Sequence, residues 1–358
     1  MSRVKIGVIG CGTIAQIQHL PNLAELHDLY DVAVVCDLSR QAAEYVAAKF
    51  HVPRAVTDYR DVLDSDVDAV LHCAGGHKTP VVVDAIAAGK HLFVEKPLCV
   101  SVEDADRIAA AADAAAVVAQ VGYMKLYDPA YEYARREVAE MSEPRFIQVN
   151  HLHPSNALHI GQFDVRRFDD MPRDAAVEQR DAYEASIGDA IGDVEPHVRR
   201  AFVMLSGSMI HDIYGLREMF GSPSEVVNAE IWRDGGAMTF TLAYPNGARC
   251  VASWADLPHL WDFKETLEVY GDDKRVTLSY PTGFARGIPS TVVVQGVDDR
   301  GVSYRQEPAI EWEGAFAREL RHFHDCIVNG APCRTPVASA RDDVALIVEI
   351  IRRYVAGR

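Results

Sequence analysis

Short apolar runs alternate with amphipathic stretches through the first third of the chain. The runs are rich in valine, isoleucine and leucine, and the stretches between them have apolar residues at helical spacing. Strands that are apolar on both faces and separated by helices indicate a parallel sheet covered on both sides, and right-handed crossovers make it doubly wound. The predicted strands are Val4–Ile9, Val32–Cys36, Ala69–Cys73, His91–Val94 and Val117–Val121, and the predicted helices are Ala15–His27, Arg40–Phe50, Pro80–Ala88 and Val102–Ala114.

The pattern changes after Gly122. Several strand-like runs between residues 225 and about 294 are separated by Asp-Gly-Gly, Pro-Asn-Gly and Gly-Asp-Asp turns, which predicts a meandering antiparallel sheet. The acidic stretch from Asp164 to about Asp193 has no clear period, and we expect a solvated flap or a helical insert. We therefore predict an α/β domain over residues 1–124 and an α+β domain over residues 125–358. Further predicted elements are a strand over 145–151 and helices over 131–139, 198–220, 315–329 and 339–355.

The composition is that of a globular protein and narrows the possible partners. The chain has 358 residues, 36 of them basic and 52 acidic, for a net charge of −16. Because such an acidic surface repels phosphate backbones and anionic lipid, we expect no nucleic-acid partner and no membrane association. Seven cysteines without metal-type spacing, and no apolar run of the ~18 residues that span a membrane, predict a cytoplasmic protein.

The turn after the first strand has the sequence GCGTIA and opens a helix. Gly10 permits a tight turn, Gly12 lets backbone amides approach a pyrophosphate, and Ala15 lets the helix pack closely on the strand. The helix N-terminus adds N–H groups and the positive end of its dipole. This context predicts a dinucleotide site, with cofactor contacts from Gly10, Gly12, Thr13, Ile14 and Ala15.

Asp37 ends the second predicted strand, about 20 residues beyond the glycine turn. A carboxylate there can accept both hydroxyls of the adenosine ribose, and it repels a 2′-phosphate. Ser39 and Arg40 follow directly and would bind a 2′-phosphate if Asp37 turned away. We therefore expect these three residues at the cofactor and favour NAD over NADP.

Glu95-Lys96-Pro97 stands at the carboxyl end of the strand HLFV, the edge where ligands bind in such sheets. Pro97 fixes its own φ and disfavours helical geometry at Lys96, so a stiff turn presents the lysine. A lysine beside a nicotinamide ring can hydrogen-bond a substrate hydroxyl or polarise a carbonyl. Taken alone, a lysine at a strand end is more often a surface charge.

With these residues the chain resembles the glucose–fructose oxidoreductase, inositol dehydrogenase and rhizopine-catabolism (Gfo/Idh/MocA) family. The resemblance rests on VKIGVIGCGTIA, the Asp37 strand end, AIAAGKHLFVEKPL and VGYMKLYDPAY, which span most of the first 130 residues. It implies a Rossmann domain followed by a domain with a large open, mostly antiparallel sheet, often used for oligomerisation. It also implies that Glu95, Lys96 and Pro97 adjoin the cofactor, with Lys96 contacting nicotinamide and substrate. We expect a homodimer or homotetramer.

The family's second catalytic cluster is an aspartate four residues before a histidine, which places both side chains on one helix face. SGSMIHDIYGLREMFG matches that helix, and His211 corresponds to the histidine. Gly207 stands where the aspartate is expected. Asp212 points roughly 100° around the helix from His211 and is a poor geometric substitute. We expect His211 to be catalytic together with Lys96, or a carboxylate to come from elsewhere.

The remaining candidates are loop residues, and each has one possible functional role and one possible structural role. Lys125 would position cofactor or substrate, or pair with Asp128. Ala74, Gly75, His77 and Lys78 follow the fourth strand near the expected nicotinamide ribose, or are ordinary loop residues. His153 and Asn156 would line a sugar pocket, or hydrogen-bond within their loop. His151, His153 and His159 lack further ligands at recognisable spacing, so we expect no metal site.

These observations predict an NAD(P)-dependent oxidoreductase acting on a ring hydroxyl of a sugar, glycoside or cyclitol. One alternative is a glycosidase that recycles tightly held NAD by transient sugar oxidation and elimination. A non-catalytic NAD-binding regulator is another alternative, although Lys96 argues against it.

Overall fold

A computed structural model describes residues 2–358 and divides the chain into two compact units. The first unit contains the residues up to Tyr123, together with Phe163–Gly192 and Phe316–Val344. The second contains Met124–Gln162, Asp193–Ala315 and Ala345–Arg358. The first crossing falls next to the expected boundary at 124, but two later segments return to the first unit, which a single boundary did not anticipate. Within residues 2–358, no helix combines the length and apolarity needed to cross a bilayer.

The first unit is built on a six-stranded sheet with the order β3-β2-β1-β4-β5-β6. Every pairing in it is parallel, which confirms the predicted doubly wound sheet. The strand order reverses between β1 and β4, and ligands bind such sheets at the carboxyl ends beside this switch. The strands are β1 (Val4–Ile9), β2 (Tyr30–Cys36), β3 (Ala55–Val56), β4 (Ala69–His72), β5 (His91–Glu95) and β6 (Ala119–Gly122).

Helices cover this sheet, and two of them come from the later segments. Leu320 and Phe323 of the helix over 315–329 are fully buried in the same core as Val8 and Phe93. This burial explains why the segment belongs to the first unit. The acidic stretch holds a long helix, one of the two expected outcomes. The helices of this unit are α1 (Leu20–Glu25), α2 (Arg40–Phe50), α3 (Arg60–Leu63), α4 (Thr79–Ala87), α5 (Val102–Asp113), α8 (Arg173–Ile191) and α11 (Ala315–Asn329).

The second unit contains an eight-stranded sheet with the order β14-β13-β12-β11-β7-β10-β9-β8. All pairings in it except one are antiparallel, which confirms the expected mostly antiparallel sheet. The exception is β7, which lies between β11 and β10, pairs parallel with β10 and interrupts the expected meander there. The parallel pair is possible because helices and two strands connect β7 to β10. The strands are β7 (Phe146–His153), β8 (Glu225–Trp232), β9 (Ala237–Ala243), β10 (Arg249–Asp256), β11 (Lys264–Tyr270), β12 (Lys274–Tyr280), β13 (Thr291–Val297) and β14 (Ser303–Gln306).

Two of the expected helices contain a π-helical turn, at Ala15–His19 before α1 and at Leu205–Met209. The second turn divides the helix expected over 198–220 into two. Such turns occur often at functional sites, because they rotate the side chains that follow. The second unit has helices α6 (Pro129–Ala139), α7 (Asn156–Ile160), α9 (Pro196–Met204) and α10 (Ile210–Phe220), and α12 (Ala340–Ala356) runs from the first unit into the second.

Candidate active site

The glycine turn after β1 has the conformation and the space that a pyrophosphate requires. Gly10 has a φ of +96°, and a Cβ there would lie 2.4 Å from the backbone nitrogen of Ala74, so only glycine fits. A Cβ on Gly12 would have no described heavy atom within 4 Å, apart from its own neighbours. Gly12 and Gly75 are exposed, Thr13 and Ile14 are half-buried, and Ala15 is fully buried against the sheet. These residues therefore fit a bound dinucleotide.

Asp37 faces the glycine turn. Its Oδ2 accepts a hydrogen bond from the backbone nitrogen of Cys11 at 2.8 Å, and its Oδ1 accepts one from the backbone nitrogen of Ser39 at 2.9 Å. The carboxylate is thus held beside the glycine turn, and its contact with a ribose stays a prediction. Ser39 is buried and caps α2, since its Oγ accepts a hydrogen bond from Ala42 at 3.0 Å, whereas Arg40 is exposed.

The Glu95-Lys96-Pro97 turn at the end of β5 is fixed by buried polar contacts. Glu95 Oε1 lies 2.6 Å from His19 Nε2, and Glu95 Oε2 accepts a hydrogen bond from the Lys96 backbone at 3.0 Å. The Lys78 ammonium donates to the backbone oxygen of Glu95 and, at 2.7 Å, to that of Pro97. The Lys96–Pro97 peptide is cis. The hydrogen bonds from Lys78 and to Glu95 fix the backbone that carries Lys96.

Burial shifts the protonation of both lysines. Removal from water lowers the pKa of Lys96, and the charge of Glu95 only partly opposes the shift. Burial also lowers the pKa of Lys78 to about 8. Burial disfavours ionisation of Glu95 as well, but the hydrogen bond and charge of His19 outweigh it and lower the pKa of Glu95. A lysine with a lowered pKa exchanges a proton readily near neutral pH.

His77 lies in the loop after β4 and is half-buried. Its Nε2 is 3.3 Å from Asp104 Oδ2, and Asp104 also accepts a hydrogen bond from Ser186 at 2.7 Å. His77 therefore has a structural partner, and its contact with cofactor stays a prediction. Cofactor contacts of Ala74 and Gly75 also stay predictions. The backbone nitrogen of Ala74 is the atom that leaves no room for a side chain at Gly10.

The second unit holds a buried cluster of charged residues that the sequence analysis did not assemble. The Lys125 ammonium pairs with Glu265, and His151 Nδ1 lies 2.8 Å from Asp212 Oδ2 and 3.6 Å from Glu265 Oε1. Each of these four residues is at most 7% exposed. Lys125 also lies over the Tyr280 ring, 4.2 Å from its centroid. We call Lys125, His151, Asp212 and Glu265 the buried charge cluster.

His211 lies beside this cluster along the chain and is half-buried. Its Nδ1 is 2.8 Å from the Tyr214 hydroxyl, which also accepts a hydrogen bond from the Lys125 backbone at 3.2 Å. Asp212 reaches His151 instead, in keeping with the expected angle between neighbouring helix positions. A Cβ on Gly207 would meet no described heavy atom within 4 Å outside the backbone of its own helix.

Aromatic rings surround the other expected substrate contact. The ring of His153 stacks on His151 with centroids 5.7 Å apart and meets Phe263 edge-on at 5.6 Å. Its Nδ1 lies 2.7 Å from the backbone oxygen of Pro154. Burial, with a smaller effect of His151, lowers the pKa of His153, so the ring is neutral at physiological pH. Asn156 begins α7 and is half-buried.

Two buried groups of residues have metal-ligand chemistry, and neither is the histidine set considered from the sequence. His151, Asp212 and Glu265 form one, and His19, Glu95 and Glu319 form the other, with ligand atoms within 4.8 Å of one another in each. In the first group the Lys125 ammonium already neutralises Glu265. The sequence indicated Asp212 only as a poor partner for His211, and it did not indicate Glu265, because a buried carboxylate inside an apolar strand or helix has no local motif.

Comparison with known proteins finds the same family resemblance in the N-terminal region of the chain. The model of the GFO_IDH_MocA family, described as an oxidoreductase family with an NAD-binding Rossmann fold, matches residues 4–123. An inositol 2-dehydrogenase of Paracoccus denitrificans is 39% identical over 157 residues, 42% of this chain and 46% of that protein. The match thus spans about half of that relative's length.

Two further proteins match nearly the whole chain. A myo-inositol 2-dehydrogenase of Thermotoga maritima is 27% identical over 347 residues, 95% of this chain and 92% of that protein. A levoglucosan dehydrogenase in complex with NADH and L-sorbose has the same fold, with a TM-score of 0.77, 16% identity and coverage of 99% of this chain and 98% of the other. Solved structures of this fold hold NADP as well as NADH. The expected resemblance to the Gfo/Idh/MocA family is therefore confirmed, by the family model over residues 4–123 and by the two inositol dehydrogenases.

Proposed function

We propose that this protein is an NAD(P)-dependent oxidoreductase that acts on a ring hydroxyl of a sugar, glycoside or cyclitol. The observation that carries this proposal is the rigid Glu95-Lys96-Pro97 turn at the carboxyl end of β5, in the same sheet as the glycine turn after β1. A lowered lysine pKa, a dinucleotide-type turn and a carboxylate at the end of β2 together support alcohol oxidation.

The proposed role of Lys96 is to accept the hydroxyl proton while the bound nicotinamide supplies the hydride acceptor. Because burial lowers its pKa, Lys96 is neutral in a larger fraction of molecules than a lysine in water. Glu95 fixes the Lys96 backbone through its own hydrogen bond, and Lys78 holds the peptide oxygens on both sides. The lysine thus needs little reorganisation to meet a hydroxyl.

The second unit supplies the other proposed residues. His211 is proposed to share in handling the hydroxyl proton, since the Tyr214 hydroxyl fixes one ring nitrogen. His153 and Asn156 are proposed to bind ring hydroxyls. Lys125 is proposed to act on the cofactor or substrate only indirectly, because its ammonium is buried between Glu265 and Tyr280.

NAD is proposed as the cofactor in preference to NADP, because Asp37 is held toward the glycine turn by two backbone hydrogen bonds. The substrate class follows the inositol and levoglucosan dehydrogenases that the chain resembles. We also propose a cytoplasmic homodimer or homotetramer, in line with the family's use of its open sheet.

The proposal is tested by following absorbance at 340 nm with purified protein, NAD or NADP, and a panel of inositols, sugars and glycosides. We expect NADH formation with one class of ring polyol, and a rate that disappears in Lys96→Met. A panel that gives no signal with a protein that binds NADH would contradict a dehydrogenase. Cleavage of a glycoside without net NADH would instead support a recycling glycosidase.

A further inference from the structure

Residues 163–170, here called the strap, contact the helix after the glycine turn and α2 in the first unit. Gln16, in the helix after the glycine turn, exchanges two hydrogen bonds with the backbone of Arg166, at 2.9 and 3.0 Å. The Asp164 backbone oxygen accepts a hydrogen bond from Lys49 of α2 at 2.5 Å, and Arg166 lies over the ring of Tyr45. The strap therefore contacts both the helix that follows the glycine turn and α2.

The end of the strap meets the residues that discriminate between the two cofactors. Asp170 accepts a hydrogen bond from the Ser39 hydroxyl and another, at 3.0 Å, from the backbone nitrogen of Gln41. Ser39, Arg40 and the first amides of α2 are the donors that a ribose 2′-phosphate would need. The Asp170 carboxylate uses two of them.

We propose that Asp170 acts as a second specificity residue, which excludes NADP from the site by its negative charge and by engaging Ser39 and Gln41. The inference rests on the proposed dinucleotide function and names a residue outside the motif that carries Asp37. The hydrogen bond from Ser39, followed by that from Gln41, lowers the pKa of Asp170, so the group is ionised at neutral pH.

Charge repulsion and competition for hydrogen-bond donors would both weaken NADP binding. A 2′-phosphate brings about two negative charges close to Asp37 and Asp170, while Arg40 is the one cation in the Ser39–Gln41 stretch. An NADP molecule would also have to displace Asp170 from Ser39 and Gln41. NAD carries a hydroxyl at that position, which accepts or donates a hydrogen bond and adds no charge.

The test compares Asp170→Asn with the matched control Asp169→Asn, which removes the same charge from the exposed neighbouring position. Dissociation constants for NADH and NADPH are measured by nicotinamide fluorescence, so the readout does not depend on turnover. We expect Asp170→Asn to tighten NADPH binding about fivefold, with NADH changed less than twofold, and Asp169→Asn to leave the ratio unchanged.

Each result bears on a separate claim. An unchanged NADPH-to-NADH ratio in Asp170→Asn, or an equal shift in Asp169→Asn, would overturn the role of Asp170. If the unmodified protein bound neither cofactor, the dinucleotide function itself would fail. Asp170→Ser serves as a second variant if the asparagine keeps both hydrogen bonds, and the same tightening of NADPH binding is expected for it.

Discussion

The candidate residues of the two units differ in how the chain brings them together. In the first unit, the important residues come in short contiguous motifs, GCGTIA after β1 and Glu95-Lys96-Pro97 after β5, because parallel strands end at one edge of the sheet. In the second unit, the buried charge cluster takes Lys125, His151, Asp212 and Glu265 from four separate elements.

This difference indicates that the two groups of residues have different roles, ligand contact in the first unit and stability in the buried charge cluster. The first unit presents Lys96, half-buried, on a rigid turn, as expected for a group that meets a ligand. In the second unit the cluster residues pair with one another in the interior, and Ser208 links them to Trp254. The Ser208 hydroxyl lies 3.2 Å from His151 Nε2 and accepts a hydrogen bond from Trp254 Nε1 at 3.0 Å. We therefore expect substitutions in the first unit to change turnover and those in the cluster to change stability first.

The largest expected effect comes from Lys96→Met. Loss of the amine removes proton transfer but no contact to the pyrophosphate, so turnover should fall about 1,000-fold while the dissociation constant for NADH changes less than threefold. Steady-state kinetics and fluorescence titration measure the two quantities. Lys96→Arg keeps a charge but cannot release its proton, so it should be nearly as inactive. A tenfold or smaller loss in both variants would assign the chemistry to another residue.

Glu265→Gln should have the next largest effect, and on stability. It leaves the Lys125 ammonium buried without its carboxylate partner, which destabilises by about 3 kcal/mol. The free energy of unfolding in urea measures the change. Glu268→Gln on the same strand is the control, since Glu268 is half-buried and should change stability by less than about 0.5 kcal/mol. Equal effects of the two variants would show that the cluster carries no special stability.

His211→Ala tests whether the second unit also takes part in the chemistry. We expect turnover to fall about 100-fold, with little change in cofactor affinity, because an imidazole titrates near neutral pH and can assist proton transfer. Tyr214→Phe removes the hydroxyl that contacts the ring and should give a smaller loss with a shifted pH profile. Unchanged turnover of His211→Ala at saturating substrate would remove this histidine from the mechanism.

Glu319→Gln tests burial in the first unit, and its expected effect is the smallest of these near pH 5. Neither carboxylate oxygen of Glu319 has a hydrogen-bond partner within residues 2–358, and burial raises its pKa well above the usual value. The native state therefore holds a proton that the unfolded chain releases above about pH 4.3, so this group makes stability fall as pH rises.

Glutamine does not titrate, so the stability of the variant relative to the unmodified protein should rise by about 1.4 kcal/mol for each pH unit above about pH 5, until Glu319 itself ionises in the native state. Urea unfolding at several pH values between 5 and 8 measures this difference. A constant difference between the two proteins across that range would show that Glu319 is ionised when folded.

Much of the first unit could be predicted from the sequence, because a parallel sheet buried on both faces leaves continuous apolar runs. Arg40–Phe50 matches its helix at both ends, and Gly10 shows its positive φ. The return of α11 could not be predicted in this way, since an amphipathic helix does not specify which core it enters. β3 was missed because it has two residues, Ala55 and Val56.

The site was predictable only where residues follow one another along the chain. Asp37 and Lys96 stand at strand ends, and their partners Cys11, Ser39 and Glu95 are neighbours of known motifs. His19 and Asp170 reach the same region from a helix and from a segment more than 100 residues away, so spacing does not indicate them. Contacts of this kind depend on tertiary packing.

The most direct test of the account is the transfer of deuterium from a ring carbon to the cofactor. A substrate identified in the 340 nm panel would be deuterated at the carbon bearing the oxidised hydroxyl and incubated with NAD. Hydride transfer from that carbon predicts NADH one mass unit heavier by mass spectrometry, and no such NADH in Lys96→Met. NADH without deuterium, or product formed with no change in the cofactor, would contradict hydride transfer at this site.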